Sequence, residues 1–387
     1  MKVPLVRDTI DEKDISYLIK WLETNPKLTK GDRTIEFEKK WSEYIGVKHS
    51  VYVNSGSSAN LAMAQTLNVS GKLRNKIIIA PAVSWVTTVT PFIQLGYDVK
   101  LVDCDKETLG PDIDHLRKLV DKYDPSIMII VHVLGFPCKM KEIQEICKER
   151  DIILLEDSCE SVGSTYDDIK TGAFGSMSSF SFFIGHHISS IEGGMICTND
   201  DYYYNILKSI RAHGWNRDLD EKFKNTLKNK YIVNEFKDLY TFYYPGFNLR
   251  STDLQAYIGI LQMFKIYDVV KIRNRNYDLY HKNIKNNYWK INPTENSFMS
   301  NFAYPVITPK INELIKSLKN NEIETRPLIC GSISLQPFWE DLYGKENIKY
   351  EMADKADKFG LYLPNNAELT EEEILFVCDV VNEVLKN

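Results

Sequence analysis

The segment 179–198 contains two adjacent histidines, His186 and His187, followed by Glu192-Gly193-Gly194. The ordinary pKa of imidazole lies near neutral pH, so a histidine here can accept and donate a proton during catalysis. A histidine pair in an apolar stretch is more often a packed or surface structural pair. The residues that accompany the pair therefore decide between acid–base chemistry and a structural role.

Residues 54–60, with the sequence NSGSSAN, form a candidate anion-binding turn between a predicted strand and a predicted helix. Gly56 permits a tight turn, after which the first helical amides point at a common spot where the helix dipole favours an anion. Ser57 adds a hydroxyl donor. A plain serine N-cap is the alternative explanation of the same residues.

Two further candidates follow predicted strands. Trp85 comes just after the strand 76–80, and ligands of parallel sheets bind beyond the carboxyl ends of strands. A core tryptophan is the alternative. Asp157 ends the apolar strand 151–157, where its carboxylate can pair with a protonated ring nitrogen of a cofactor or cap the next helix.

Taken together, these motifs resemble the DegT/DnrJ/EryC1/StrS family of sugar aminotransferases, and the resemblance covers essentially the whole chain. In that family, the lysine bound to pyridoxal 5′-phosphate (PLP) lies six residues before the Glu of a Glu-Gly-Gly. Here His186 occupies that position, and no lysine occurs between Lys170 and Lys208. Because imidazole cannot form the Schiff base that a primary amine forms with PLP, the resemblance points to the sugar 3-dehydratase branch.

The resemblance also implies individual roles for the matching residues. The cofactor-binding residues that it implies are Gly56, Ser57, Trp85, Asp157, Glu160, Ser181 and Asn248. Among these, Glu160 stands where the aminotransferases usually carry Gln, and Asn248 matches an Asn that reaches the phosphate of the neighbouring subunit, which implies a homodimer. The substrate-binding residues that it implies are His213, Arg217, Arg250 and Arg326.

The predicted function is coenzyme-B6-dependent removal of the C3 hydroxyl from a nucleotide-linked 4-keto-6-deoxysugar similar to GDP-4-keto-6-deoxymannose. This step would belong to dideoxysugar biosynthesis for a lipopolysaccharide O-antigen or capsule. The amine form of the cofactor (PMP) would be held noncovalently and restored by L-glutamate, with His186 as the catalytic acid and base. A sugar-nucleotide 4-aminotransferase is the alternative, and a catalytically inactive sugar-nucleotide-binding protein is the second. The residues identify neither the nucleotide nor the sugar.

From about residue 49, short apolar strands alternate with helical stretches, which predicts an α/β fold with a mostly parallel sheet. The predicted strands are 49–54, 76–80, 98–103, 126–134, 151–157, 177–183 and 194–198. The resemblance implies the aspartate-aminotransferase fold (fold type I of PLP enzymes). It divides the chain into a large cofactor-binding domain with an N-terminal arm, 1–255, and a small α/β domain, 256–387. The polar segment 218–238 is predicted to be a surface insertion, with partial disorder as the alternative.

The composition is that of a soluble globular protein, with 43% hydrophobic and 26% charged residues in a chain of 387 and a net charge of -5. It predicts no nucleic-acid partner. The chain has no apolar run near the length of a membrane span and no signal-like N-terminus, which predicts a cytoplasmic protein without a membrane partner. The seven cysteines form no C-x-C or C-x-x-C pair, which argues against disulfides, a metal site and an iron–sulfur reductase partner.

Overall fold

The structure, a computed structural model, describes residues 1–286, 288–344 and 349–386. The strands in these ranges are β1 (His49–Val53), β2 (Ile77–Pro81), β3 (Asp98–Val102), β4 (Ile127–Val131), β5 (Ile153–Asp157), β6 (Thr165–Tyr166), β7 (Ile169–Lys170), β8 (Met177–Ser181), β9 (Gly194–Thr198), β10 (Ser297–Phe298), β11 (Tyr304–Ile307), β12 (Arg326–Pro327) and β13 (Gly360–Leu363). The helices are α1 (Glu12–Leu22), α2 (Asp32–Ile45), α3 (Gly56–Ser70), α4 (Val86–Gln94), α5 (Ile113–Tyr123), α6 (Met140–Glu149), α7 (Asp201–Arg211), α8 (Glu221–Tyr231), α9 (Glu235–Asp238), α10 (Asp253–Met263), α11 (Ile266–Asn283), α12 (Ile311–Asn320), α13 (Pro337–Tyr343), α14 (Glu351–Phe359) and α15 (Glu371–Leu385). Over the described ranges, no helix combines the length and the apolar character needed to cross a membrane.

A seven-stranded sheet lies at the centre of the fold, in the order β1-β9-β8-β5-β4-β2-β3. The pairs β2–β3, β2–β4, β4–β5 and β5–β8 are parallel, and β9 is antiparallel to both of its neighbours. The sequence of β4 is IMIIV and all five residues are buried, as expected for a strand covered by helices on both faces. The predicted α/β fold with a mostly parallel sheet is confirmed.

The polar segment 218–238 folds into α8 and α9 on the surface. Asp238 anchors it, because its carboxylate accepts a hydrogen bond from Asn216 Nδ2 at 2.7 Å and lies 3.3 Å from Lys224 Nζ. Asn234 caps α9 by accepting a hydrogen bond from the backbone N–H of Lys237. The lysines that make the segment polar in sequence thus contribute part of its attachment.

The C-terminal part of the chain adds a three-stranded sheet, β11-β13-β12, in which both pairs are antiparallel. The hydrophobic core runs through both parts, since Val51 of β1, Ile129 of β4 and Val377 of α15 belong to one cluster. The predicted boundary at residue 255 lies inside α10, and the division into two domains stays a prediction. The helix α11, which follows α10, was not distinguished in the sequence, and it carries a residue that contacts the site described next.

Candidate active site

One cavity lies at the edge of the central sheet where β1, β5 and β8 reach their carboxyl ends. Its volume is about 320 Å³. The residues that line it are Ser55, Gly56, Ser57, Asn60, Trp85, Thr87, Thr88, Val131, Asp157, Cys159, Glu160, Ser181, Phe183, His186, Glu192, Phe302, Ile329 and Tyr362. Seven of the predicted site residues therefore surround a single cavity, and these are Gly56, Ser57, Trp85, Asp157, Glu160, Ser181 and His186.

The predicted anion-binding turn begins α3. Ser55 is its N-cap, and the Ser55 hydroxyl accepts a hydrogen bond from the N–H of Ser58 at 3.0 Å. The amides of Gly56 and Ser57 belong to the first helical turn, whose N–H groups have no partner within the helix. The serine N-cap and the anion site are therefore compatible, because the cap engages one amide and leaves the first turn directed at the cavity.

Close packing explains the glycines around this turn. A Cβ atom on Gly56 would lie 2.7 Å from the Cβ of Ser181 and 3.1 Å from the Sγ of Cys159. A Cβ atom on Gly194 would lie 2.2 Å from the carbonyl oxygen of Ser55. The Glu-Gly-Gly motif thus allows β9 to pack directly against the anion-binding turn, where a larger residue would displace the backbone.

Asp157 is buried at the end of β5, and its carboxylate accepts three hydrogen bonds. The donors are Asn60 Nδ2 at 2.8 Å, Thr88 Oγ1 at 2.7 Å and the backbone N–H of Cys159 at 3.2 Å. Asn60 is itself oriented by the hydroxyl of Ser179, which donates to Asn60 Oδ1 at 2.7 Å. The carboxylate is therefore held in one orientation at the cavity wall. Sequence reasoning missed Asn60 and Thr88, although Asn60 follows Gly56 by one helical turn.

Trp85 is the N-cap residue of α4 and lines the cavity with 53% of its surface exposed. A large aromatic side chain at this exposure is not part of the core, so the core-tryptophan alternative is wrong. Its indole gives the cavity a flat apolar wall, which suits offset stacking against a planar ring.

His186 lies in the loop between β8 and β9 and is only partly exposed to the cavity. Its Nδ1 lies 2.8 Å from the carbonyl oxygen of Cys159. Because a carbonyl can only accept, Nδ1 carries the hydrogen and Nε2 keeps a free lone pair. The pKa of His186 is lowered to about 4, mainly by burial and also by the nearby Arg273 cation, while the Cys159 hydrogen bond and the Asp157 charge act in the opposite direction. At neutral pH the imidazole is therefore an uncharged proton acceptor.

His187 is oriented differently from His186. It is fully buried, and its Nε2 lies 3.0 Å from the carbonyl oxygen of Ser300. Burial lowers its pKa well below the ordinary value. His187 does not line the cavity, so within this pair the structural interpretation fits His187 and acid–base chemistry fits His186.

Glu160 lies on the cavity wall, where its Oε2 accepts a hydrogen bond from the N–H of Leu134 at 2.7 Å. The pKa of Glu160 is raised to about 8, mainly by burial and also by the Asp157 charge, while the Leu134 hydrogen bond acts in the opposite direction. At neutral pH Glu160 therefore keeps its proton, and its side chain can donate a hydrogen bond as a glutamine does. Leu134 reaches it from a left-handed backbone conformation with φ 52°, which costs free energy and is often found at functional sites.

The other five predicted residues lie outside this cavity and are exposed on the surface: His213, Arg217, Asn248, Arg250 and Arg326. Three of them contact one another, because Arg250 Nε donates to Asn248 Oδ1 at 3.0 Å and Arg250 Nη2 lies 3.4 Å from His213 Nε2. Arg217 stacks over the ring of Trp215, with 4.2 Å from its guanidinium carbon to the ring centroid. Their assignment to a neighbouring subunit's site and to the substrate stays a prediction. Arg326 lines a second cavity that adjoins the first at His186.

A model of the DegT/DnrJ/EryC1/StrS aminotransferase family matches residues 8–382 of the sequence. The chain belongs to this family. It is 34% identical over 397 residues to GDP-4-keto-6-deoxy-D-mannose 3-dehydratase of Yersinia pseudotuberculosis, with 98% of each chain covered. It is 35% identical over 401 residues to the enzyme of the same name from Escherichia coli O55:H7, with 99% of each covered.

Among solved structures, the fold is similar to a crystal structure of GDP-4-keto-6-deoxymannose-3-dehydratase with a trapped PLP-glutamate geminal diamine. The TM-score is 0.89 at 33% identity, and the match covers 98% of this chain and 100% of the other. The predicted aminotransferase fold is confirmed, and so is the predicted resemblance to the 3-dehydratase branch of the family.

The cavity has the groups that a PLP-type cofactor requires. The first turn of α3 and the hydroxyls of Ser57 and Ser181 can receive a phosphate. The fixed carboxylate of Asp157 can receive a protonated ring nitrogen, and the exposed indole of Trp85 can cover a ring face. The lining residues include no lysine, so within the described chain these contacts fit a cofactor that is held noncovalently.

Proposed function

We propose that this protein is a coenzyme-B6-dependent 3-dehydratase that acts on a GDP-linked 4-keto-6-deoxysugar. One observation carries the proposal: an uncharged histidine faces the cavity at the position where the family's aminotransferases have their lysine. The two relatives that are 34% and 35% identical are both named as GDP-4-keto-6-deoxy-D-mannose 3-dehydratases. Their names favour this function over the 4-aminotransferase alternative and give the reason for choosing GDP.

The cofactor, when bound in its amine form, supplies a nitrogen that condenses with a ketone and a ring that accepts electrons from the adjacent carbon. The protein supplies the contacts that bind and orient the cofactor. Gly56, Ser57 and Ser181 hold the phosphate, Asp157 keeps the ring nitrogen protonated, and Trp85 fixes the plane of the ring. Together these contacts replace the covalent bond as the means of positioning the cofactor.

His186 moves the proton in this proposal. Its Nε2 takes a proton from carbon at the reacting centre, and the resulting imidazolium gives a proton to the departing C3 hydroxyl, which leaves as water. Its low pKa assists the second transfer, because the imidazolium is then a strong acid. Glu160, protonated at neutral pH, can donate a hydrogen bond into the cavity, while its Oε2 is held in place by the N–H of Leu134.

The overall reaction consumes L-glutamate. The sugar loses its C3 oxygen and keeps its ketone, while glutamate becomes 2-oxoglutarate and ammonia. Atoms and electrons balance, because the two electrons that replace the C–O bond by a C–H bond come from the oxidation of glutamate.

The test is incubation of the protein with PLP, L-glutamate and GDP-, CDP- or UDP-linked 4-keto-6-deoxyhexoses, with the products identified by mass spectrometry. We expect a 3-deoxy ketone from the GDP sugar, together with ammonia. A 4-amino sugar that retains the C3 hydroxyl would establish the aminotransferase instead. Binding of a sugar nucleotide without any product would establish the inactive binding protein.

A further inference from the structure

A second cavity, of about 270 Å³, lies on the other side of His186 from the first. The two cavities share four lining residues, which are Phe183, His186, Phe302 and Tyr362. The two cavities differ in the charges of the side chains that line them. The first cavity is lined by Asp157, Glu160 and Glu192, whereas the lining of the second has three arginines and, among the described residues, no aspartate or glutamate.

Arg273 of α11 is the buried cation of this second cavity, with 3% of its surface exposed. Its guanidinium donates to backbone carbonyls, including that of Phe302 at 2.8 Å and that of His186 at 3.3 Å. Within the described residues its Nε has no hydrogen-bond partner, and no carboxylate accepts a bond from it. Keeping a cation away from water without an anionic partner is costly, and the cost is recovered when an anion binds.

The other two arginines of the cavity differ in how they are paired. Arg7 is neutralised by Glu373, whose carboxylate accepts from Nη1 at 3.1 Å and from Nη2 at 2.5 Å. Arg326 is exposed, and the acceptor that the structure gives it is the neighbouring carbonyl oxygen of Thr325 at 2.8 Å. Arg326 therefore keeps donors for an external anion, and Arg273 lines the same cavity without an anionic partner. A guanidinium group suits the two oxygens of a carboxylate.

We propose that this second cavity is the subsite for a carboxylate of the amino donor, with Arg273 and Arg326 as its ligands. The proposal rests on the proposed function, which requires L-glutamate. The volume of about 270 Å³ falls just below the roughly 300–1,000 Å³ of pockets for drug-sized ligands, so it suits a small dicarboxylate better than a nucleoside diphosphate. A carboxylate held there would leave the rest of the donor beside His186, facing the first cavity.

The probe for this subsite is glutarate, a dicarboxylate that has neither an amine nor a ketone and cannot react with the cofactor. Its affinity for the PLP-loaded protein is measured by isothermal titration calorimetry. Arg326→Gln should weaken glutarate binding by about tenfold or more, since hydrogen bonds to charged groups contribute about 1.5–3 kcal/mol and each 1.4 kcal/mol is tenfold. Arg273→Lys, which keeps the charge but loses the fork, should also weaken it.

Two controls test whether the effect is specific to this cavity and to the dicarboxylate. Arg117→Gln removes a surface arginine of α5, outside both cavities, and should leave glutarate affinity unchanged. GDP is titrated in parallel, and Arg326→Gln should leave its affinity within about twofold. In turnover, the variant should raise the KM for glutamate and not the KM for the sugar nucleotide.

The proposal is overturned if the wild-type protein does not bind glutarate, or if Arg326→Gln leaves glutarate affinity unchanged. It is also overturned if the variant weakens GDP and spares glutarate, because the arginine then serves the nucleotide diphosphate. If substitutions at the buried Arg273 prevent folding, Arg326→Gln alone still tests the proposed carboxylate subsite. These outcomes are independent of the product identity, since an aminotransferase would need the same donor subsite.

Discussion

Glu160 offers a quantitative test of the cavity's electrostatics, through the substitution Glu160→Gln. Burial raises the pKa of this carboxyl from its ordinary 4.5 to about 8. A pKa that is higher in the folded protein than in the unfolded chain stabilises the fold at low pH. That stabilisation is complete below pH 4.5 and is lost as the pH rises through about 8. Glutamine resembles the protonated acid and does not titrate, so the variant should not show this loss.

The magnitude follows from the difference between the two pKa values. They differ by about 3.5, and one unit corresponds to about 1.36 kcal/mol, which gives an upper bound of about 5 kcal/mol. Glu160 also touches the cavity, and water there screens the ionised form, so we expect about 2 kcal/mol. Between pH 5 and pH 9, the wild type should lose that much stability relative to Glu160→Gln.

The assay is denaturant unfolding of the two cofactor-free proteins at pH 5, 7 and 9. Differences between the proteins isolate residue 160, because other titrating groups contribute equally to both. Glu192→Gln removes an exposed carboxylate from the lining of the same cavity and is the matched control. If wild type and Glu160→Gln show the same pH dependence, Glu160 is ionised at neutral pH, and its role as a hydrogen-bond donor is refuted.

Two further predictions concern catalysis and assembly. His186→Asn should lower the rate of dehydration by roughly 10²–10⁴-fold, the range typical of a lost acid–base group, while equilibrium dialysis shows unchanged cofactor binding; near-normal turnover would move the base to another residue. Asn248→Ala should weaken cofactor binding and leave the circular dichroism spectrum unchanged, because Asn248 is exposed and is predicted to serve the neighbouring subunit. An active, cofactor-saturated monomer in sedimentation would contradict that second prediction.

The central sheet and most of the cavity residues were predictable from the sequence, for a physical reason. Buried parallel strands are short, continuous apolar runs, and the observed β9 begins and ends at the predicted residues, 194 and 198. Strands of this kind end together at one edge, so polar residues at their carboxyl ends, such as Asp157 and Ser181, meet around one cavity. For these positions, the apolar pattern of the strands and the parallel order of the sheet were sufficient to predict the site.

Other features depend on contacts between distant parts of the chain and have no local signal. Thr88 donates to Asp157 across 69 positions, and Arg273 donates to the carbonyl of His186 across 87. The N–H of Leu134 reaches Glu160 only because the backbone there is left-handed. A leucine gives no sign of that conformation in sequence. The second cavity, which α11 and the N-terminal residues help to form, was therefore not foreseen.

The site separates an acid from a base by environment, without using strong ion pairs. His186 and Glu160 line the same cavity and are both partly withdrawn from water, and burial favours the uncharged form of each. For the imidazole this means a pKa of about 4 and a free lone pair, whereas for the carboxyl it means a pKa of about 8 and a retained proton. When two pKa values are shifted in opposite directions in this way, the imidazole can accept a proton and the carboxyl can donate a hydrogen bond at the same pH.

This separation explains why a histidine can occupy the lysine position of the family without making the site inert. A lysine there would be a cation or a covalent ligand, whereas the imidazole, with its Nδ1–H directed to the carbonyl of Cys159, presents one acceptor in a fixed orientation. Arg273 secures the same loop through the carbonyl of His186, and its positive charge also lowers the pKa of the imidazole. Arg273 thus reinforces the uncharged state of His186 that burial already favours, and an anion bound beside Arg273 would weaken that effect and raise the pKa of His186.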